Sequence, residues 1–131
     1  MNTTKPKNKI LWRRSQNWIN SHKTRAKKLH KKLAFSRTEL YEWLVYNLEK
    51  WNYCCYCGKG LSDASLSIDH KMPTSRGGDF GFSNLCICCK ECNEAKGALS
   101  FNEFNSLIET LETFSIASRN NVIQRLRRGA H

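Results

Sequence analysis

Apolar residues recur at helical intervals in four stretches of this sequence and alternate at strand intervals in two. The first helical reading runs from about Ile10 to Leu33. Its charges are spread so widely that only Trp12, Trp18, Ile19, Leu29 and Leu33 are left to pack. The second is sharper. Ser36-Arg37-Thr38-Glu39 has the spacing of a capping box and opens the run Leu40, Trp43, Leu44, Leu48, Trp51, all read as core positions. From Asn52 to Lys96 the pattern breaks into short pieces. Leu66-Ser67-Ile68-Asp69 and Leu85-Cys86-Ile87-Cys88 alternate as strands do, and Pro73 to Gly78 reads as a loop in which Gly77-Gly78 can take positive φ. Lys90 to Lys96 lacks Gly and Pro and predicts a short helix. A second capping box, Ser100-Phe101-Asn102-Glu103, introduces the stripe Phe104, Leu107, Ile108, Leu111. A last helix is expected over Ile116 to Arg128, with Val122, Ile123 and Leu126 inward and Arg125, Arg127 and Arg128 outward.

Charge divides the chain differently. Of its 22 lysines and arginines, those up to Arg37 are Lys5, Lys7, Lys9, Arg13, Arg14, Lys23, Arg25, Lys27, Lys28, Lys31, Lys32 and Arg37, and no acidic residue precedes Glu39. A uniformly basic segment gains most by lying along a polyanion, and phosphate backbones are the commonest one. Residues 1–35 are therefore read as a basic, helical nucleic-acid-binding arm, with Lys27, Lys28, Lys31 and Lys32 as phosphate contacts. Residues 36–131 form the remaining domain, and Arg125 to Arg128 could add to the grip. Met1 to Ile10 is polar and basic, and no apolar stretch is long enough to span a bilayer. The expectation is a soluble cytoplasmic protein without a membrane partner.

Seven cysteines change the picture most: Cys54, Cys55, Cys57, Cys86, Cys88, Cys89 and Cys92. An odd number in a chain read as intracellular argues against a disulfide framework and for metal. Cys54-x2-Cys57 and Cys89-x2-Cys92 can each present two thiolates to one tetrahedral ion, the pattern of structural Zn²⁺ sites. A hairpin and a short helix bury too little to fold alone, and zinc would supply the missing stability. Neighbouring cysteines leave the register open, since Cys55 or Cys88 could replace a nominated ligand. Cys55, Cys86 and Cys88 otherwise read as small buried hydrophobes.

Between the cysteine pairs lies an ordered set: Ile68-Asp69-His70-Lys71, Pro73, Ser75-Arg76-Gly77-Gly78 and Asn84-Leu85, continuing to Cys92-Asn93 and Lys96-Gly97. From about Cys54 to Gly97 the chain resembles the HNH endonuclease family, a branch of the ββα-metal (His-Me finger) nucleases. The resemblance implies an α+β fold in which a small zinc-bound ββα-metal unit, a hairpin plus a short helix, is flanked by helices on both sides. It also implies roles. Asp69 would bind a divalent ion, His70 would be the general base, Asn84 would hold His70 in place across the loop, and Asn93 would be a second metal ligand. Asparagine in that last position, where many members carry histidine, makes this an H-N-N variant.

Elementary chemistry agrees with those roles. Phosphodiester hydrolysis needs a deprotonated water and charge neutralisation at phosphate and leaving group. A neutral imidazole serves the first near pH 7, and one ion held by oxygen donors serves the second. Carboxylate and amide oxygens suit Mg²⁺ or Mn²⁺. If Lys90–Lys96 is helical, Lys96 shares a face with Asn93 and can neutralise phosphate, as can Arg76 on the loop. His22, His30 and His131 have no such company and read as unremarkable. The resulting expectation is an endonuclease acting on DNA, as monomer or homodimer, leaving a 5′-phosphate and a 3′-hydroxyl. The residues do not separate DNA from RNA. Two other readings compete: a non-catalytic zinc-stabilised nucleic-acid-binding module, and a redox or zinc-buffering protein using its clustered thiols.

Overall fold

The computed structural model describes residues 6–129, so Lys5 and His131 lie outside the described residues. The chain runs α1 (Lys9–Lys28), α2 (Arg37–Trp51), β1 (Leu66–His70), β2 (Leu85–Cys89), α3 (Lys90–Lys96), α4 (Phe101–Leu111) and α5 (Ile116–Arg127), with single 3-10 turns at Thr74–Arg76 and Phe82–Asn84. The architecture is α+β, as expected. Among the described residues no helix is long and apolar enough to cross a membrane.

Helix α1 starts where Asn8 caps it, its side chain accepting from the Leu11 N–H at 3.0 Å. The same asparagine donates its amide to Asp63, and its backbone N–H donates to the Tyr41 hydroxyl, which pins the start of α1 to its surroundings. The helix ends five residues short of the expected Leu33. His30 adopts a left-handed φ of 56°, the Lys31 N–H reaches back to the Ala26 carbonyl at 2.8 Å, and the His30 N–H to that of Lys27 at 3.0 Å. These paired bonds close a Schellman motif, which satisfies the last carbonyls without a glycine. Lys31 and Lys32 therefore lie beyond the helix, while Lys27 and Lys28 form its last turn.

Leu11, with 1 % of its surface exposed, joins Leu40 and Leu44 of α2 and the whole of β2 in one core. Arg37 ties the two helices further, its guanidinium stacked 3.6 Å over the Trp12 ring and donating to the Trp12 carbonyl. The boundary expected after residue 35 thus falls in a short loop between two helices that share a core. Helix α2 opens with the expected capping box, Ser36 with Glu39, and α4 with Ser100 and Glu103. Trp51, read as a core position, is 52 % exposed. It is the last residue of α2 and meets Tyr53 edge-on, outside the core. Leu29 is exposed for the same reason, at the end of α1.

Strands β1 and β2 pair antiparallel in the register Leu66↔Cys89, Ile68↔Ile87 and His70↔Leu85, and every residue of β2 is buried. Cys89 ends β2 and caps α3, its sulfur accepting from the Cys92 N–H. Helix α3 returns across the hairpin and is covered by α5, where Arg127 pairs with Glu94 at 2.9 Å. Arg127 was expected outward. The pair folds it down half-buried, whereas Arg125 and Arg128 are exposed as expected.

Candidate metal centre and active-site cleft

Two knuckles bring four sulfurs together. The first turns at Gly58 (φ 78°), with the Gly58 N–H on the Cys54 carbonyl and the Tyr56 N–H on the Cys54 sulfur. The second is the Cys89 cap of α3. Between them, the ligand atoms of Cys54, Cys57, Cys89 and Cys92 all lie within 4.8 Å of one another, positioned to bind a metal ion. Four thiolates suit zinc. A hydrogen bond from Cys92, helped by backbone N–H groups and opposed by burial, lowers the Cys54 thiol below its ordinary value. Of the leftover thiols, Cys55 and Cys86 meet sulfur to sulfur at 2.9 Å, and Cys88 is fully buried. None of the three belongs to the four-sulfur cluster.

On the same hairpin, the end of β1 faces an open cleft of about 820 Å³. Asp69 and His70 come to it from β1, Asn93 and Lys96 from α3. Asp69 is buried. It accepts from the Tyr56 hydroxyl and from the Lys96 ammonium, which lies 3.3 Å from its Oδ2. Burial pushes its carboxyl above the ordinary value, against the pull of Tyr56 and Lys96. A carboxylate offers about four lone-pair positions, so these two donors leave room for a cation.

His70 is 8 % exposed, and its Nε2 is buried with no hydrogen-bond partner. The rings of Trp18, His22 and Phe80 surround it, with centroids 5.3–5.7 Å away. Burial, with the charges of His22, Arg25 and Lys96, lowers it to about 4. The imidazole is neutral near pH 7 and holds an unused nitrogen, the state a general base requires.

Asn84 spans the loop between the strands. Its amide oxygen accepts from the Met72 N–H at 2.9 Å, and its amide nitrogen donates to the Met72 and Asp79 carbonyls, both at 3.0 Å. The turn is so tight that a Cβ on Gly78 would stand 1.9 Å from the Met72 carbonyl oxygen. Lys71, next to His70, also donates its N–H to the Asn84 carbonyl at 2.7 Å.

Two residues expected to contact phosphate are engaged in ion pairs within the chain. Lys96 does not stand beside Asn93 in solvent. It is 1 % exposed, held by the buried Asp69 carboxylate and by the His70 carbonyl at 3.0 Å. Arg76 lies outside the cleft lining, bound to Glu103 at 2.5 Å and to the Ala98 carbonyl at 3.2 Å. Of the four lysines assigned to the arm, all exposed, Lys28 alone lines the cleft.

Sequence reasoning missed the remaining wall. Trp18, His22, Arg25 and Lys28 follow one another at helical intervals of three and four, and this face of α1 closes the cleft opposite His70. The spacing is visible in the sequence, but its meaning depends on a long-range contact, the packing of Trp18 and His22 of α1 against His70 of β1.

Comparison with known families covers the hairpin, both knuckles and the start of α4. Residues 54–105 match the HNH endonuclease family. The matched HNH segment contains the four cluster cysteines together with Asp69, His70, Asn84 and Asn93, and it leaves α1 and α2 outside. No curated protein matches the chain.

Proposed function

We propose that this protein is a metal-dependent endonuclease that hydrolyses DNA phosphodiester bonds, with His70 as general base. One observation carries the reading: a buried, neutral imidazole with an unpartnered Nε2 opens on the same cleft as Asp69 and Asn93, inside the HNH segment. His70 Nε2 takes the proton of the attacking water. Asn84 fixes the loop that follows His70, so the ring cannot swing out of line. Asp69 and Asn93 would hold a Mg²⁺ or Mn²⁺ ion, hard oxygen donors for a hard cation. Such an ion, when bound, supplies charge neutralisation at the phosphate and at the leaving oxygen. The four-cysteine cluster would hold a structural Zn²⁺. The net charge of +11, with Lys27, Lys28, Lys31 and Lys32 exposed around the end of α1, supports a nucleic-acid backbone as partner. We place the protein in the cytoplasm. A single site of this kind cuts one strand, so the monomer would nick and a homodimer would break both strands.

The ion pair between Lys96 and Asp69 favours one second reading, a non-catalytic zinc-stabilised module that binds nucleic acid, because Lys96 already neutralises the carboxylate. Supercoiled plasmid incubated with Mg²⁺, Mn²⁺ or EDTA, beside a duplex RNA of matched length, separates the two. Metal-dependent conversion to open circles, slowed by about two orders of magnitude in His70→Ala while binding persists, is the expected result. Binding without nicking under every ion would leave the second reading.

A further inference from the structure

The cations facing the cleft are Arg14, Arg25, Lys28 and Lys96. Two of them are spent on the fold. The Arg14 guanidinium donates to the Asp63 and Leu66 carbonyls, and the Lys96 ammonium to Asp69 and the His70 carbonyl. Arg25 and Lys28 have no acidic partner among the described residues. Lys28 stands exposed in the final turn of α1. Arg25 is different, because something holds it.

The His22 ring stacks on Trp18 at 3.8 Å and 12°, and its Nδ1 lies 3.0 Å from the Trp18 carbonyl. A carbonyl only accepts, so Nδ1 carries the proton and Nε2 keeps a lone pair. Arg25 Nη1 donates to that lone pair at 3.4 Å. Burial lowers His22 below its ordinary value, and the charge of Arg25 adds to this, which keeps the ring an acceptor. The guanidinium is therefore steadied by one of its five donors, and the others have no partner among the described residues, at a position that lines the cleft. A planar fork with free donors, next to a histidine base, suits the paired non-bridging oxygens of a phosphodiester.

Resting on the nuclease reading, we infer that Arg25 is the residue that grips the scissile phosphodiester, and that His22, braced by Trp18, is its positioning residue. Helix α1, outside the HNH segment, thus completes the site by supplying the charge that Lys96 and Arg76 have committed elsewhere.

The test uses the full-length zinc-loaded protein. Binding to a DNA duplex of about twenty base pairs is followed by fluorescence anisotropy in EDTA across a salt series, and nicking kinetics are measured in Mg²⁺ and Mn²⁺. Arg25→Ala should weaken binding and reduce the slope of log affinity against log salt by about one. It should also cut kcat/KM about ten- to a hundredfold, as expected for a lost charge-assisted bond. Lys59→Ala, which removes an equal charge from the exposed knuckle, should change neither. His22→Ala should keep the salt slope, since the charge remains, and lower kcat. His22→Gln, whose amide oxygen can again accept from Arg25, should restore it. An Arg25→Ala protein that binds and nicks like the parent overturns the proposal. If the parent nicks nothing in any ion, the nuclease reading fails by itself, and the salt slope of Arg25→Ala then decides alone whether Arg25 holds a phosphate.

Discussion

The ammonium of Lys96 sits 3.3 Å from the carboxylate of Asp69, with 1 % of the lysine side chain exposed. A buried pair of this kind contributes little compared with an apolar replacement, yet removing one partner strands the other. Lys96→Met should therefore lower stability by about 3–5 kcal/mol. Adding Asp69→Asn should recover part of the loss, a coupling that a double-mutant cycle in urea would read. Equal losses that simply add would mean that the two groups do not interact.

His70 lies well below its ordinary value in the folded chain, at about 4, whereas in the unfolded chain it titrates near 6.5. The unfolded state therefore takes up this proton first. The contribution of His70 to stability is intact above about pH 6.5 and declines as pH falls toward 4. Urea unfolding at pH 7 and pH 5 should show a smaller acid loss for His70→Ala than for the parent. That variant should also lose about two orders of magnitude in nicking. In the parent, the base should remain deprotonated, and nicking competent, down to about pH 5.

The four-sulfur cluster allows the register to be tested directly. Cys92→Ser should abolish stoichiometric zinc and the folded circular dichroism spectrum, since metal binding supplies the folding energy of such small units. Cys55→Ser and Cys88→Ser should keep one zinc per chain by metal analysis. Loss of zinc in either would mean that the register is shifted.

His30 closes helix α1 in a conformation that favours glycine, with φ at 56°. His30→Gly should raise stability by about 1 kcal/mol, measured by urea denaturation. An unchanged or lowered midpoint would show that the imidazole contributes more than the backbone strain costs.

Where spacing alone carries the information, the fold was legible: both capping boxes, both strands, the short helix and the two cysteine pairs lie where local pattern put them. Local pattern also placed Asp69, His70, Asn84 and Asn93 in order, and the family match spans all four. Long-range contacts were not legible. The end of α1 depends on His30 taking a backbone shape that its type rarely adopts. The fate of Lys96 depends on a buried carboxylate across the hairpin. His22 and Arg25 reach the cleft because they lie on the same face of α1 as the buried Leu11 and Ala26, the face that docks. A basic stretch with few apolar residues reads as an arm, although the few it has are enough to dock it.

Cys89 belongs to three structures at once: it finishes β2, caps α3 and contributes a sulfur to the cluster. Asn93 stands four residues further along, one turn of helix away. Loss of the cluster's ion would thus do more than loosen the fold, because it would cut α3 free from the strand that aims it and leave Asn93 without a bearing on Asp69. Under zinc scarcity, the active fraction should follow zinc occupancy molecule by molecule, so a population half supplied with metal would consist of competent and idle copies rather than uniformly slowed ones.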